Sequence, residues 1–170
     1  RSVVRLLDNL PRERMRWVTA PCRLAPGCSV SGPIPRRTTF EDVGGPYYLD
    51  RAGRVADPIT DDLALWLATP HGLVVCCGCA HAGVINTLDQ IVRVSGIDRV
   101  HAIIGGLHLL HADGERLART LQALERYAPP RLVPCHCTGT AAVTALQKHF
   151  GASVTPGNAG TVLAIKNPIT

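Results

Sequence analysis

Three histidines lie where side chains with a chemical function are commonly placed, directly after short apolar runs of the sequence. His81 is in the segment Cys-Gly-Cys-Ala-His-Ala-Gly, His108 is in Gly-Gly-Leu-His-Leu and His136 is in Pro-Cys-His-Cys-Thr-Gly. Each preceding run is typical of a buried β-strand. A neutral imidazole is a common ligand of zinc, and neighbouring strand ends can direct several imidazoles to one point. These residues therefore predict a metal site.

The elements that must position these histidines alternate between strands and helices from residue 61 onward. A hairpin comes first, and helices with apolar residues at three- and four-residue spacing separate the later strands. This order favours an α/β layered domain, in which reactive side chains collect at the carboxyl ends of the strands. The predicted strands are 63–69, 73–77, 100–104, 131–134, 152–155 and 161–165, and the predicted helices are 83–94, 113–127 and 139–150.

The chain is long enough to bury one sizeable core, since it has 170 residues of which 46% are apolar. We expect a single domain over 1–170, with 1–60 loop-rich and irregular and 61–170 forming the strand and helix core. No apolar run approaches the roughly 20 residues that a membrane-spanning helix needs. The chain begins at Arg1 without a secretory signal, so we expect a cytoplasmic protein whose N-terminus has been cut.

The net charge of +5 does not indicate a nucleic-acid partner. The excess of arginine falls within residues 1–54, while basic and acidic residues balance over 55–170. Aromatic residues, at 4%, are too few for a base-stacking platform. A solvated basic surface is the favoured interpretation, and an anionic ligand is the alternative. We therefore expect no nucleic-acid partner and no membrane partner.

The seven cysteines leave three interpretations open. Cys76 and Cys79 form a Cys-x-x-Cys pair between a strand and a helix, where thiol redox pairs occur. Together with Cys135 and Cys137 they could instead hold a structural zinc ion. Reduced, buried thiols that pack as small apolar side chains are favoured, because nothing in the sequence indicates an oxidising compartment.

Five segments, in order along the chain, resemble the metallo-β-lactamase superfamily. Within it they are most similar to the group of the 7,8-dihydropterin-6-methyl-4-(β-D-ribofuranosyl)aminobenzene-5′-phosphate synthases and their bacterial metal-dependent hydrolase relatives. The similarity extends over residues 28–165, and five ordered motifs are more specific than any one of them. The segments are Ser-Gly-Pro-Ile-Pro-Arg-Arg (31–37), Asp-Asp-Leu-Ala-Leu (61–65), Gly-Cys-Ala-His-Ala-Gly-Val-Ile-Asn-Thr (78–87), Ile-Gly-Gly-Leu-His-Leu (104–109) and His-Cys-Thr-Gly (136–139).

The resemblance implies an αββα sandwich with two metal ions at one edge, between the two sheets. His81 matches a ligand of one metal and His136 a ligand of the other, while His108 lies where most of the superfamily has a bridging aspartate. The His-x-His-x-Asp-His motif that relatives carry near the N-terminus does not occur, because no histidine precedes His71. The resemblance therefore implies the C-terminal two-thirds of the fold, incomplete at the N-terminus and inactive by itself.

The function that the resemblance implies first is that of a metal-dependent hydrolase, in which metal-activated water attacks an ester or phosphoester. A synthase-type transferase acting on a dihydropterin is the alternative. The expected cofactors are two divalent ions, with zinc favoured by the imidazoles and magnesium, manganese or iron also compatible. Both functions imply a small anionic substrate, and Arg36 and Arg37 are candidates for binding it.

Overall fold

A mixed β-sheet of six strands runs through the described part of the chain. The computed structural model describes residues 9–165. Neighbouring strands pair antiparallel from β1 to β4 and parallel from β4 to β6, so the pairing changes at β4. In sheet order, which is also chain order, the strands are β1 (Cys22–Ala25), β2 (Cys28–Val30), β3 (Ala64–Thr69), β4 (Gly72–Cys77), β5 (Val100–Gly106) and β6 (Arg131–Cys135).

Helices cover one face of this sheet. Two of them connect the parallel strands, because parallel neighbours need a long crossover between them. Alternate strand residues, such as Trp66, Val75 and Ile103, share one core with Leu88 and Leu124 of the helices. The helices are α1 (Val84–Ser95), α2 (Gly114–Glu125) and α3 (Thr140–Phe150).

The other face of the sheet is also apolar. Val74, Ile104 and Val133 line a groove there, and Leu163 and Ile165 from the segment after α3 lie along it. Strand residues therefore alternate between the helix-covered core and this groove, as the two-residue period of a strand requires.

The strands and helices predicted between residues 61 and 150 are confirmed to within two residues at each end. Their apolar periodicity was strong and their ends carried turn residues, which are local signals. Residues 1–8 and 166–170 of the predicted single domain lie outside the described residues. No helix in the described range has the length and apolar character needed to cross a membrane.

The two last predicted strands are wrong. The segment 152–155 begins in a 3-10 turn, and Val154 makes only an isolated bridge to Leu132 of β6. Thr155 and Gly157 donate to the carbonyls of Leu132 and Pro134 of β6 at 2.9 Å, so the segment lies along β6 without forming a regular strand. The segment 161–165 is apolar enough for a strand but has no pairing partner among the described residues.

Candidate active-site edge of the sheet

The three predicted histidines follow three neighbouring parallel strands. His81 lies in the loop after β4, His108 comes two residues after β5, and His136 directly follows β6. Because β4, β5 and β6 are parallel neighbours, their carboxyl ends meet at the same edge of the sheet. The expected placement at one edge is therefore observed.

Two of these histidines have a left-handed backbone, which is unusual for residues with a side chain. The φ angles are 51° at His108 and 50° at His136, and Ala80, directly before His81, has a φ of 54°. Such conformations cost on the order of 1–3 kcal/mol each and persist only where the surrounding structure holds them. The amides of Leu109 and Leu110 help to stabilise the backbone at His136, because both donate to the carbonyl oxygen of Cys137.

His81 and His108 lie side by side. Their ring centroids are 4.4 Å apart, and Tyr47 approaches the edge of His81 with ring centroids 5.3 Å apart. The Nδ1 atom of His81 is buried, and the described residues offer it no hydrogen-bond partner. A buried polar atom in this condition is expected to have a ligand, ion or water as its partner.

Burial favours the neutral form of the His108 ring. Its Nε2 contacts the carbonyl oxygen of Val43, which can only accept, so Nε2 carries the hydrogen and Nδ1 keeps a lone pair. Burial lowers the pKa of His108 below its usual value, and the nearby His81 and Arg116 act in the same direction. A neutral imidazole with one free lone pair can bind a cation or accept a proton.

Arg116 and Asp42 fix the backbone at His108. The guanidinium of Arg116 is buried, donates from Nη2 to the carbonyl of His108 at 3.2 Å, and forms an ion pair with Asp42. Asp42 stands next to Val43, which contacts the ring of the same histidine. The segment 39–46 is thereby attached to the site at two points.

Arg36 holds the loop that carries His81. Its guanidinium donates to the carbonyl of His81 at 2.8 Å and to that of Pro58 at 2.7 Å. From the other side, Asp62 accepts from the amide of Ala82 at 2.8 Å. The guanidinium of Arg36 therefore positions the loop through these two hydrogen bonds. Anion binding by Arg37, which is exposed, stays a prediction.

A buried glutamate caps the helix that follows His81, and sequence reasoning missed it. The carboxylate of Glu41 accepts from the amides of Ile85 at 2.8 Å and Asn86 at 2.9 Å, in the first turn of α1. Gly83 leaves the room for this carboxylate, since a Cβ there would lie 2.2 Å from its carbon. Burial raises the pKa of Glu41 despite these hydrogen bonds. No local pattern links residues more than 40 positions apart.

His136 lies next to two cysteines. Its Nε2 lies 3.2 Å from the Sγ of Cys79, and the ligand atoms of Cys79, His136 and Cys137 all lie within 4.8 Å of one another. Burial raises the pKa of Cys137 to about 11. The three histidines thus form two neighbouring groups, one of paired imidazoles and one of an imidazole with two thiols.

The four cysteines of the alternative structural zinc site do not come together. Cys76 and Cys135 point to the groove on the open face of the sheet, where they lie beside Ile104. Cys79 and Cys137 instead meet at the carboxyl edge. The alternative redox pair is divided in the same way, since Cys76 lines the groove and Cys79 lies with His136 and Cys137.

A cavity of about 660 Å³ opens beside His108. Its wall includes Phe40, Asp113, Arg119 and the buried Arg116, and it adjoins a smaller space lined by His108 and Tyr47. Its volume is in the range of roughly 300–1,000 Å³ that small-molecule sites occupy.

Sheet, helical layer and histidine-bearing edge together are of the metallo-β-lactamase type, so the predicted fold class is confirmed. The chain matches a solved structure described as a metal-dependent hydrolase of the β-lactamase superfamily with a TM-score of 0.74 and 25% sequence identity. The match covers 90% of this chain and 59% of that structure. No protein-family model matches the chain.

Two curated relatives come from Methanocaldococcus jannaschii. The chain is 33% identical over 164 residues to a 7,8-dihydropterin-6-methyl-4-(β-D-ribofuranosyl)-aminobenzene-5′-phosphate synthase, covering 93% of this chain and 56% of the synthase. It is 27% identical over 139 residues to an uncharacterized protein, covering 82% of this chain and 51% of the relative. The chain therefore spans about half the length of the curated relatives it matches.

The similarity to a synthase corrects the function expected from the sequence, which was hydrolysis. The hydrolase is a structural match, and one fold can carry several reactions. Imidazoles at a sheet edge suit water activation and group transfer equally well, so the residue types could not separate the two. The named curated relative favours the alternative, a synthase-type transferase.

Proposed function

We propose that this chain is part of a synthase-type transferase that joins a dihydropterin to a ribofuranosylaminobenzene phosphate. The observation that carries the proposal is the 33% identity to such a synthase over 93% of the chain. In the proposed reaction the aromatic amine attacks the methylene carbon of a pterin diphosphate ester. A carbon–nitrogen bond forms, a carbon–oxygen bond breaks, diphosphate leaves and the amine loses a proton.

The donors at the carboxyl edge fit divalent metal ions. His81 offers a buried Nδ1 that lacks a partner among the described residues, and His136 and His108 come from the neighbouring strand ends. We assign His81 and His136 as metal ligands, with two ions of the zinc type as the proposed cofactors. When bound, such ions supply positive charge that stabilises a phosphate leaving group.

His108 is placed to handle the proton that the amine loses. Burial favours the neutral form of its ring, with the hydrogen on Nε2 directed to Val43 and a lone pair on Nδ1. A neutral imidazole can accept a proton at its free ring nitrogen. Arg116 keeps this ring in place through the carbonyl of His108, so it acts as a positioning residue.

The cavity beside His108 is the proposed substrate site. Arg119 lies on its wall with the guanidinium carbon 4.6 Å from the ring centroid of Phe40. This pair presents a positive charge and an aromatic face, which suits an aromatic, phosphorylated substrate. Arg119 has a half-exposed side chain and weak partners, so it can turn to a ligand more readily than Arg36.

The test is a transfer assay with the dihydropterin diphosphate and the ribofuranosylaminobenzene phosphate, using metal-loaded protein that carries this chain. Mass spectrometry measures the coupled product, and released diphosphate is quantified separately. We expect one diphosphate for each coupled product and little release without the amine. The proposal would be contradicted if diphosphate were released at the same rate without the amine, or if the metal-loaded protein formed no coupled product.

A matched pair of arginine variants tests the cavity. In Arg119→Ala we expect the KM for the phosphorylated amine to rise about tenfold with little change in kcat, since a lost charge-assisted contact is worth about 1.4 kcal/mol or more. Arg126→Ala is the control, because Arg126 pairs with Asp89 and Tyr127 away from the cavity. Equal KM values in both variants would remove the cavity from the substrate site.

A further inference from the structure

Two thiols and an imidazole converge at the carboxyl edge although they come from strands that are not neighbours. Cys79 follows β4 and His136 and Cys137 follow β6, with β5 between them in the sheet. Their ligand atoms nevertheless lie within 4.8 Å of one another. Within the described residues no other group of three such side chains is this close.

Gly106 at the end of β5 allows the two outer segments to meet above it. A Cβ at this position would lie 2.5 Å from the carbonyl oxygen of Gly78 and 2.7 Å from the Sγ of Cys137. The amide of Gly106 also donates to that carbonyl of Gly78 at 3.1 Å. The missing side chain therefore leaves the gap in which Cys137 approaches Cys79.

Hydrogen bonds hold the three side chains in this arrangement. The carbonyl of Cys137 accepts from the amides of Leu109 at 3.1 Å and Leu110 at 3.0 Å. The Sγ of Cys137 donates to the carbonyl of Cys79 at 3.4 Å. The backbone of His136 is left-handed, which is an unfavourable conformation for a residue with a side chain. The surrounding structure stabilises this conformation, in which the ring lies beside the thiols.

We propose that Cys79, His136 and Cys137 form a thiolate and imidazole site for one divalent transition metal ion of the zinc type. Usual zinc–sulfur and zinc–nitrogen bonds place tetrahedral ligand atoms about 3.6–3.8 Å apart. The observed distances, 3.2 Å between Cys79 Sγ and His136 Nε2 and none above 4.8 Å within the group, are close to this geometry.

The ligand set also fits the chemistry of the ion and goes beyond the proposed function, which assigns imidazoles only. Thiolates are soft ligands that favour zinc over magnesium or manganese. Three protein ligands leave a fourth position open, as in zinc sites that bind substrate or water. His136 is partly open to solvent beside the cysteines, so a ligand can reach that position.

Cobalt substitution tests this site without an activity measurement. Reduced, chelator-treated protein is titrated with Co²⁺, and the thiolate-to-cobalt charge-transfer band is recorded. We expect the band in the unmodified chain, about half its intensity in Cys79→Ser and in Cys137→Ser, and its loss in the double variant. In His136→Asn the band should need at least tenfold more cobalt.

Two cysteines outside the cluster provide matched controls. Cys22→Ser and Cys76→Ser should keep the full band, because Cys22 lies on β1 and Cys76 faces the open side of the sheet. Circular dichroism of every variant checks that the fold is retained.

Two results would overturn the proposal: bound cobalt without a charge-transfer band, or a band that survives in the double variant. Neither result depends on the transfer reaction. The site can therefore fail while the proposed function stands, and the reverse also holds.

Discussion

The cap that Glu41 places on α1 gives a sharp test of how the loop before β3 is attached to the site. Replacing Glu41 with alanine removes the acceptor for two amides of the first helical turn, at 2.8 and 2.9 Å, and for the hydroxyl of Thr38 at 3.0 Å. Glu41 is only 7% exposed, so water reaches these groups poorly in the intact protein.

The expected loss follows from these contacts. Leaving a buried amide without a partner costs about 1–3 kcal/mol, and losing a helix cap typically costs about 1 kcal/mol. Partial entry of water into the vacated space reduces the sum, so we expect Glu41→Ala to lower the free energy of unfolding by about 2–4 kcal/mol. Urea denaturation followed by circular dichroism measures it.

Glu115→Ala is the matched control. Glu115 also lies in the first turn of a helix, but it is exposed and pairs only with the exposed Arg119. Its loss should change the free energy of unfolding by less than about 0.5 kcal/mol. Equal effects in the two variants would refute the capping role of Glu41.

The pH dependence provides a second check of the same residue. Because burial raises the pKa of Glu41 in the native state, the native protein binds this proton more tightly than the unfolded chain does. The contribution of Glu41 is therefore complete below about pH 4.5, the unfolded value, and decreases as the pH rises through the native pKa. The stability advantage over Glu41→Gln should be larger at pH 4.5 than at pH 7. An advantage that grows with pH would show that hydrogen bonds outweigh desolvation.

Three further expectations concern backbone space, loop positioning and metal. Gly105→Ala should lower the free energy of unfolding by more than about 3 kcal/mol, because the added Cβ would lie 1.9 Å from a backbone oxygen of β4. Gly114→Ala is the control in the same urea experiment, and it should be neutral or stabilising because the space around Gly114 is open. Arg36→Ala should lose about 1–2 kcal/mol and change the NMR shifts of His81, whereas the exposed neighbour Arg37→Ala should do neither. Zinc at 100 times its dissociation constant should raise the free energy of unfolding by about 2.7 kcal/mol over chelated protein, and equal curves would contradict metal binding by the folded state.

The site shows where prediction from sequence succeeded. The strand ends that carry His81, His108 and His136 were predicted, because apolar runs followed by glycine-rich turns are local signals. The resemblance carried by the ordered motifs gave the right fold class. It did not choose the reaction, since it extended to both synthases and hydrolases, and the identity to a synthase changed that choice.

Contacts between distant segments were not predictable in the same way. The cysteines were expected to pack as small apolar residues, yet Cys79 and Cys137 meet beside His136. Arg36 was a candidate for anion binding, yet its guanidinium is held by two backbone carbonyls. Glu41 drew no attention, because its partners in α1 are more than 40 residues away.

The sequence by itself determined the order of strands and helices and the positions of the three histidines relative to strand ends, since residues close in the chain create those patterns. The tertiary structure alone decided which side chains meet. Strand order places β5 between two cysteine-bearing segments, and the absence of a side chain at Gly106 lets them touch. Such distances depend on how layers pack, and periodicity along one segment carries no information about them.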